Sequence, residues 1–139
     1  MEQAVTHPLP AAVPLRFFLV EDSPMILERM LALLGDTGAQ EAGHAAGVQA
    51  AIEGILAERP DVVILDMQLA DGTGFDVLRA LRARAPEIDV YFVSNFAADP
   101  YRQLAERLGA RGFFDKSNEF GRIRDVVVER AAAKAAQAH

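Results

Sequence analysis

Short apolar runs alternate with amphipathic stretches along most of the chain. The runs are Leu15–Val20, Val62–Leu65, Val90–Val93 and Gly112–Phe114, with a weaker candidate strand at Gln40–Ala45. Runs this short, rich in Val, Ile and Phe, suit strands buried on both faces, where nothing selects for a polar alternate position. The stretches between them carry a helical period. Pro24–Leu34 follows the cap-like Ser23 and puts proline at the first helical position, where its missing N–H has no intrahelical partner to lose. Met25, Leu27, Met30, Leu31 and Leu34 recur there at a spacing that lines one face. Further helices are predicted over Val48–Arg59, stopped by Pro60, and Gly74–Ala85, stopped by Pro86. Two more follow: Asp99–Leu108, opened by an Asp-Pro pair and closed by Gly109, and Phe120 to about Ala136. Strand–helix alternation repeated in this way predicts an α/β fold, a doubly wound five-stranded parallel sheet with helices on both faces.

The two ends lie outside that pattern. Residues 1–14 hold Pro8, Pro10 and Pro14 with no periodicity, and predict an extended or disordered arm. Ala131–His139 is mostly alanine and predicts a frayed extension of the last helix, leaving residues 15–130 as one domain. Composition narrows the class. A chain of 139 residues buries roughly two-thirds of its unfolded surface, enough for a core without staples. It has no cysteine, which removes disulfides, thiolate zinc sites, iron–sulfur clusters and cysteine nucleophiles, and fits a reducing cytoplasm. Fourteen basic against 20 acidic residues give a net charge of -6, which argues against a nucleic-acid face. No apolar run approaches the ~20 residues of a membrane span. The first residues also lack the basic start and apolar stretch of a signal peptide.

In parallel sheets of this kind ligands bind beyond the carboxyl ends of the strands. The first run ends Val20-Glu21-Asp22-Ser23, the run from Val62 ends Leu65-Asp66, the next ends Val93-Ser94-Asn95, and the last ends Phe114-Asp115-Lys116. Carboxylates, a hydroxyl and a lysine therefore converge on one edge. Three carboxylates crowded there repel one another unless a cation sits among them, and Mg²⁺ is suited to oxygen ligands, phosphate and water. Lys116 supplies a point charge for an anion and Ser94 a hydrogen-bond donor. A carboxylate also serves as a covalent nucleophile toward phosphorus, giving an aspartyl-phosphate. Asp66 ends the most hydrophobic run and is the candidate nucleophile.

Together with Asp71-Gly72-Thr73-Gly74, these strand ends resemble, in order and spacing, the receiver domain of two-component response regulators (CheY-like) over about Leu15 to Arg130. The resemblance implies a flavodoxin-like (βα)5 fold. It implies that Asp66 accepts a phosphoryl group from a phosphohistidine on a sensor histidine kinase or histidine phosphotransfer protein. Glu21 and Asp22 then hold Mg²⁺, joined by Asp66 and the backbone carbonyl of Gln68. Lys116 contacts the acyl phosphate, Ser94 hydrogen-bonds a phosphoryl oxygen, and Phe113 matches the aromatic switch that turns inward as Ser94 moves. Phosphoryl transfer needs an in-line nucleophile and neutralised oxygens, which one divalent ion and one lysine supply. Four positions depart from the pattern. Ala70 stands where proline is common, Ser117 removes the cis Lys-Pro bond, Asn95 is bulkier than the usual small residue, and Phe96 cannot position an attacking water.

Each feature has a plainer reading. Glu21-Asp22 alone is a solvated helix start. Asp66 alone is a turn cap, although an unpartnered carboxylate after Val62–Leu65 is costly. Lys116 and Ser94 are ordinary singly; it is the combination that favours a site. The aromatics from Tyr91 onward read mainly as core, with Phe96 and Tyr101 better placed for a partner surface. His7, His44 and His139 have no ligand spacing. The expectation is a stand-alone response regulator in the cytoplasm, not an enzyme beyond its own phosphorylation and dephosphorylation, and a monomer or weak dimer. It contacts a downstream protein through Asp99–Leu108, the last strand and the last helix, and neither nucleic acid nor membrane. Two alternatives are a phosphorylation-independent binding module, with Asn95 and Phe96 marking an altered pocket, and a Mg²⁺-dependent phosphohydrolase. The hydrolase calls for a second Asp two residues after the nucleophile, where Gln68 stands.

Overall fold

The computed structural model describes residues 13–95 and 99–137; Phe96, His7, His139 and all but the last two residues of the N-terminal arm lie outside them. The chain runs β1 (Arg16–Val20), α1 (Pro24–Leu34), β2 (Gln40–Ala45), α2 (Val48–Glu58), β3 (Val62–Asp66), a two-residue pair β4 (Gln68–Leu69) and β5 (Gly72–Thr73), α3 (Gly74–Arg84), β6 (Asp89–Ser94), α4 (Asp99–Arg107), β7 (Gly112–Asp115) and α5 (Arg122–Gln137). The five long strands form one sheet in the order β2-β1-β3-β6-β7, every neighbouring pair parallel. This is the doubly wound α/β fold expected from the alternation.

The apolar runs are continuous because alternate residues of each strand enter different cores. Phe18, Val20, Val63, Leu65, Val90 and Phe92 join α2, α3 and α4 on one side of the sheet. Phe17, Leu19, Val62, Ile64, Val93 and Phe114 join Met30, Leu34, Ile123 and Val127 of α1 and α5 on the other. β3, in the middle, is buried at every position. Three strands extend one residue past the apolar run, ending on Asp66, Ser94 and Asp115, because backbone pairing continues through a polar residue: Asp66 faces Val93 in register, and Ser94 faces Asp115. Helix ends shift as well; α2 stops at Glu58, with Arg59 in the left-handed region at φ 49°.

Two arrangements fix the two ends of the sheet. Gly74 opens α3 against the backbone of Asp66: a Cβ there would press into the Asp66 carbonyl oxygen and lie 2.6 Å from the Phe92 ring. At the opposite end of the sheet, α5 continues as helix through Gln137, and Lys134 reaches the Pro14 carbonyl at 3.3 Å and Asp61 at 2.8 Å. Asp61 also accepts the N–H of Arg16 at 2.9 Å.

Candidate phosphoryl-acceptor site

The carboxyl ends of β1, β3, β6 and β7 bring Glu21, Asp22, Asp66, Ser94 and Lys116 to one open depression of about 300 Å³, with Gln68, Asn95 and Ile26 on its walls. Each is placed by its own element. Glu21 follows β1, and its N–H donates to Ala45 of β2 at 3.0 Å. Its Oε2 accepts the N–H of Ser23 at 3.1 Å, while the Ser23 hydroxyl accepts that of Ile26 and caps α1. Asp66 ends the most buried strand. The N–H of Lys116 pairs with the Ser94 carbonyl at 2.9 Å, which fixes the lysine beside β6.

Burial makes these charges consequential. Glu21, Asp66 and Ser94 are all buried, whereas Asp22 is exposed. The Lys116 ammonium lies 2.8 Å from Oε1 of Glu21 and 3.1 Å from Oδ2 of Asp66. The second contact is a hydrogen bond; the first is an ion pair in which Oε1 of Glu21 makes no directed hydrogen bond. The other Asp66 oxygen faces the Gln68 N–H at 3.4 Å. Burial pushes the Asp66 carboxyl from 3.8 up to about 6, with Lys116 opposing the rise and Glu21 reinforcing it. Burial alone would lower the Lys116 ammonium, but the Glu21 and Asp66 carboxylates outweigh it and hold it above its ordinary value.

The donor set fits a hard divalent cation. One oxygen each from Glu21, Asp22 and Asp66 lie within 4.8 Å of one another. All are carboxylates, as Mg²⁺ favours. Three carboxylates against one ammonium leave excess negative charge, and the buried Oε1 of Glu21 lacks a directed donor. With a divalent cation added to the Lys116 ammonium, the cluster would have the positive charge needed to meet an anion beside the Asp66 carboxylate.

The remaining expected residues are placed as follows. Phe113 of β7 is buried, its ring packed on Phe92 with centroids 5.8 Å apart, and the Arg102 guanidinium lies 5.2 Å from its centroid. The ring is inward in this structure because apolar contact and the cation both favour that position. Asn95 and Ser117 are exposed, as is Ala70 in the turn between β4 and β5. Tyr101 is exposed on α4, and His44 pairs with Glu41 at 2.8 Å on the surface.

Two further carboxylates, Asp71 and Asp115, support the site. Asp71 accepts the N–H of Val48 at 2.6 Å and so pins the loop after Asp66 to the start of α2. Asp115 closes the loop after Lys116 by accepting the N–H groups of Ser117 at 2.7 Å and Asn118 at 3.3 Å. For the second, Asp115 at the head of Lys116-Ser117-Asn118 is a readable signal, since Asp commonly caps its own turn. The first joins residues far apart in sequence and leaves no local signature.

Comparison with known proteins bears on the family and the fold. The family model described as "Response regulator receiver domain" matches residues 17–128. The DNA-binding transcriptional activator DevR/DosR of Mycobacterium tuberculosis is 30% identical over 129 residues, covering 85% of this chain and 59% of that protein. The regulatory protein LuxO of Vibrio cholerae is 37% identical over 87 residues, covering 63% of this chain and 19% of LuxO. The chain thus spans about three-fifths or less of these relatives. The crystal structure of a CheY-like receiver domain protein from Methanospirillum hungatei superposes with a TM-score of 0.79 at 18% identity, covering 90% of this chain and 99% of the other.

Proposed function

This chain belongs to the response regulator receiver domain family, and from that premise we propose that Asp66 accepts a phosphoryl group from a phosphohistidine of a sensor histidine kinase or histidine phosphotransfer protein. The observation that carries the reading is the buried Asp66 carboxylate 3.1 Å from the Lys116 ammonium, with oxygens of Glu21 and Asp22 in the same cluster. An Asp66 oxygen attacks phosphorus opposite the histidine nitrogen. The O–P bond forms, the N–P bond breaks, and the imidazole leaves. Lys116 meets the charge on the transferred group, and the Ser94 hydroxyl on the wall of the depression donates to a phosphoryl oxygen.

Glu21, Asp22, Asp66 and the backbone carbonyl of Gln68 are the residues that would hold Mg²⁺. Bound there, the ion neutralises charge on the phosphoryl oxygens. Asp22, two residues past β1, is the exposed carboxylate of the set, and the buried Glu21 lies 2.8 Å from the ammonium.

In this reading the domain acts through protein contact at α4, β7 and α5. A depression of about 250 Å³ lined by Arg102, Ala105, Arg111 and Phe113 supports that surface, as does the exposed Tyr101. DNA binding, named for the mycobacterial relative, is not carried over to a chain of net charge -6. We place the protein in the cytoplasm, which its lack of cysteine favours. Among the described residues no helix is long and apolar enough to cross a membrane.

The test is direct. With Mg²⁺ and acetyl phosphate the protein gains an acid-stable, base-labile phosphoryl group, and Asp66→Ala does not. No Mg²⁺ affinity and no modification under any donor would point to a phosphorylation-independent binding module. Turnover of external phosphomonoesters would point to a hydrolase.

A further inference from the structure

We propose that Arg102 of α4 and Glu119 of the loop between β7 and α5 are positioning residues for Lys116, together bracing the strand end that carries its ammonium; the proposal rests on the reading of Asp66 as the phosphoryl acceptor. β7 is an edge strand of four residues, paired with β6 on one side only. Lys116 lies one residue beyond its end. Its Nζ meets Glu21, just past β1, and Asp66, at the end of β3, so where the ammonium sits depends on where this short edge strand holds its backbone.

Arg102 supplies the second side. One guanidinium nitrogen donates to the Phe113 carbonyl at 2.7 Å, and the other donates to Oε1 of Glu119 at 3.0 Å. The same Glu119 oxygen accepts the N–H of Asp115 at 3.0 Å, the residue immediately before Lys116. The Glu119 N–H returns to the Asp115 carbonyl at 2.8 Å. One arginine and one carboxylate thus tie α4 to the backbone three residues before the lysine, to the residue next to it, and to the loop after it. Charge-assisted, forked contacts of this kind fix position as well as adding energy. Here they stand in a loop where Ser117 follows the lysine and no proline ring limits the backbone.

A displacement of about 1 Å at a group that meets the reacting atoms costs up to 100-fold in rate. Arg102→Ala and Glu119→Gln are therefore expected to lower the saturating rate of Asp66 phosphorylation by acetyl phosphate about tenfold. The half-saturating donor concentration should change little. Arg102→Lys, which keeps the charge but not the fork, should recover part of the loss. Circular dichroism establishes that each variant folds. The decisive arm is a double-mutant cycle: in a Lys116→Ala background, Arg102→Ala should cause no further loss, because the residue it positions is gone. An unchanged rate in the single variants, or a loss that multiplies in the Lys116→Ala background, overturns the proposal. A second readout needs no phosphoryl transfer. The NMR signal of the Lys116 ammonium, assigned by comparison with Lys116→Arg, should shift or vanish through exchange in Arg102→Ala. If it is unmoved, Arg102 does not position Lys116, whatever happens at Asp66. If instead wild-type protein takes up no phosphoryl group, the acceptor reading fails, and the ammonium signal alone decides the positioning.

Discussion

At the end of β3 the Asp66 carboxyl is buried and titrates at about 6, against 3.8 when solvated. The folded state therefore binds this proton more tightly than the unfolded chain does. The resulting stability is fully present below pH 3.8 and is lost as pH rises through about 6. At 1.36 kcal/mol per unit the ionised group opposes folding by roughly 2–3 kcal/mol at neutral pH. Asp66→Asn should thus be more stable than wild type at pH 7.5 in metal-free buffer, by about 1–3 kcal/mol once the weakened hold on Lys116 is counted. That advantage should shrink toward pH 4. Urea titrations of both proteins across this range measure it, and a gap independent of pH would contradict the assignment. Glu119 works with the opposite sign. The Asp115 N–H first, then Arg102, holds its carboxyl below the usual carboxylate range, so its contribution is present above the unfolded value and lost in acid.

At the scale of elements, the start of α3 is the tightest junction near the site. Gly74 leaves no room for a Cβ between the Asp66 carbonyl and the Phe92 ring. Gly74→Ala must move either backbone or aromatic ring, an overpacking expected to cost about 2–3 kcal/mol. Chemical denaturation reads that loss, and on the proposed function phosphorylation of the folded fraction should slow because the displaced backbone is that of Asp66. How far such elements were legible depends on what fixes them. β1, β3, β6 and β7 were legible because burial on two faces leaves a continuous apolar run, and α1 because Ser23 and Pro24 mark its start. β2 was legible only weakly: it is an edge strand, largely exposed or half-buried, reading Gln-Glu-Ala-Gly-His-Ala. The β4–β5 pair could not be foreseen, since two-residue strands have no periodicity. Within the site, Glu21, Asp22, Asp66, Ser94 and Lys116 were legible from strand ends alone. The Arg102–Glu119–Asp115 brace was not, because a salt bridge spanning a loop has no recurring spacing.

For the molecule as a whole, much of the acidic excess on the carboxyl edge of the sheet sits in one cluster of three carboxylates. A cation that binds there and not to the unfolded chain stabilises the fold by RT ln(1 + [L]/Kd), about 2.7 kcal/mol at a hundredfold excess over Kd. For a domain of this size that is a rise of about 10 °C in Tm. Thermal scans against Mg²⁺ concentration should show it. Asp22→Ala, an exposed substitution that spares the buried pairings, should remove most of it. A Tm that does not respond to Mg²⁺ would leave the carboxylate cluster with the Lys116 pairings as its main compensation.

The contact of Lys134 with Pro14 and Asp61 has a topological consequence. It brings the last turns of α5 beside the strand that begins the sheet, at the amino ends of β1 and β3. Both routes out of the domain therefore leave side by side from the edge opposite Asp66. A fluorescent reporter, an affinity tag or a fused domain at either route stands a full strand length away from the acceptor. Joining the two routes by a short linker and opening the chain elsewhere should give a circular permutant whose new connection lies at the far edge of the sheet from Asp66.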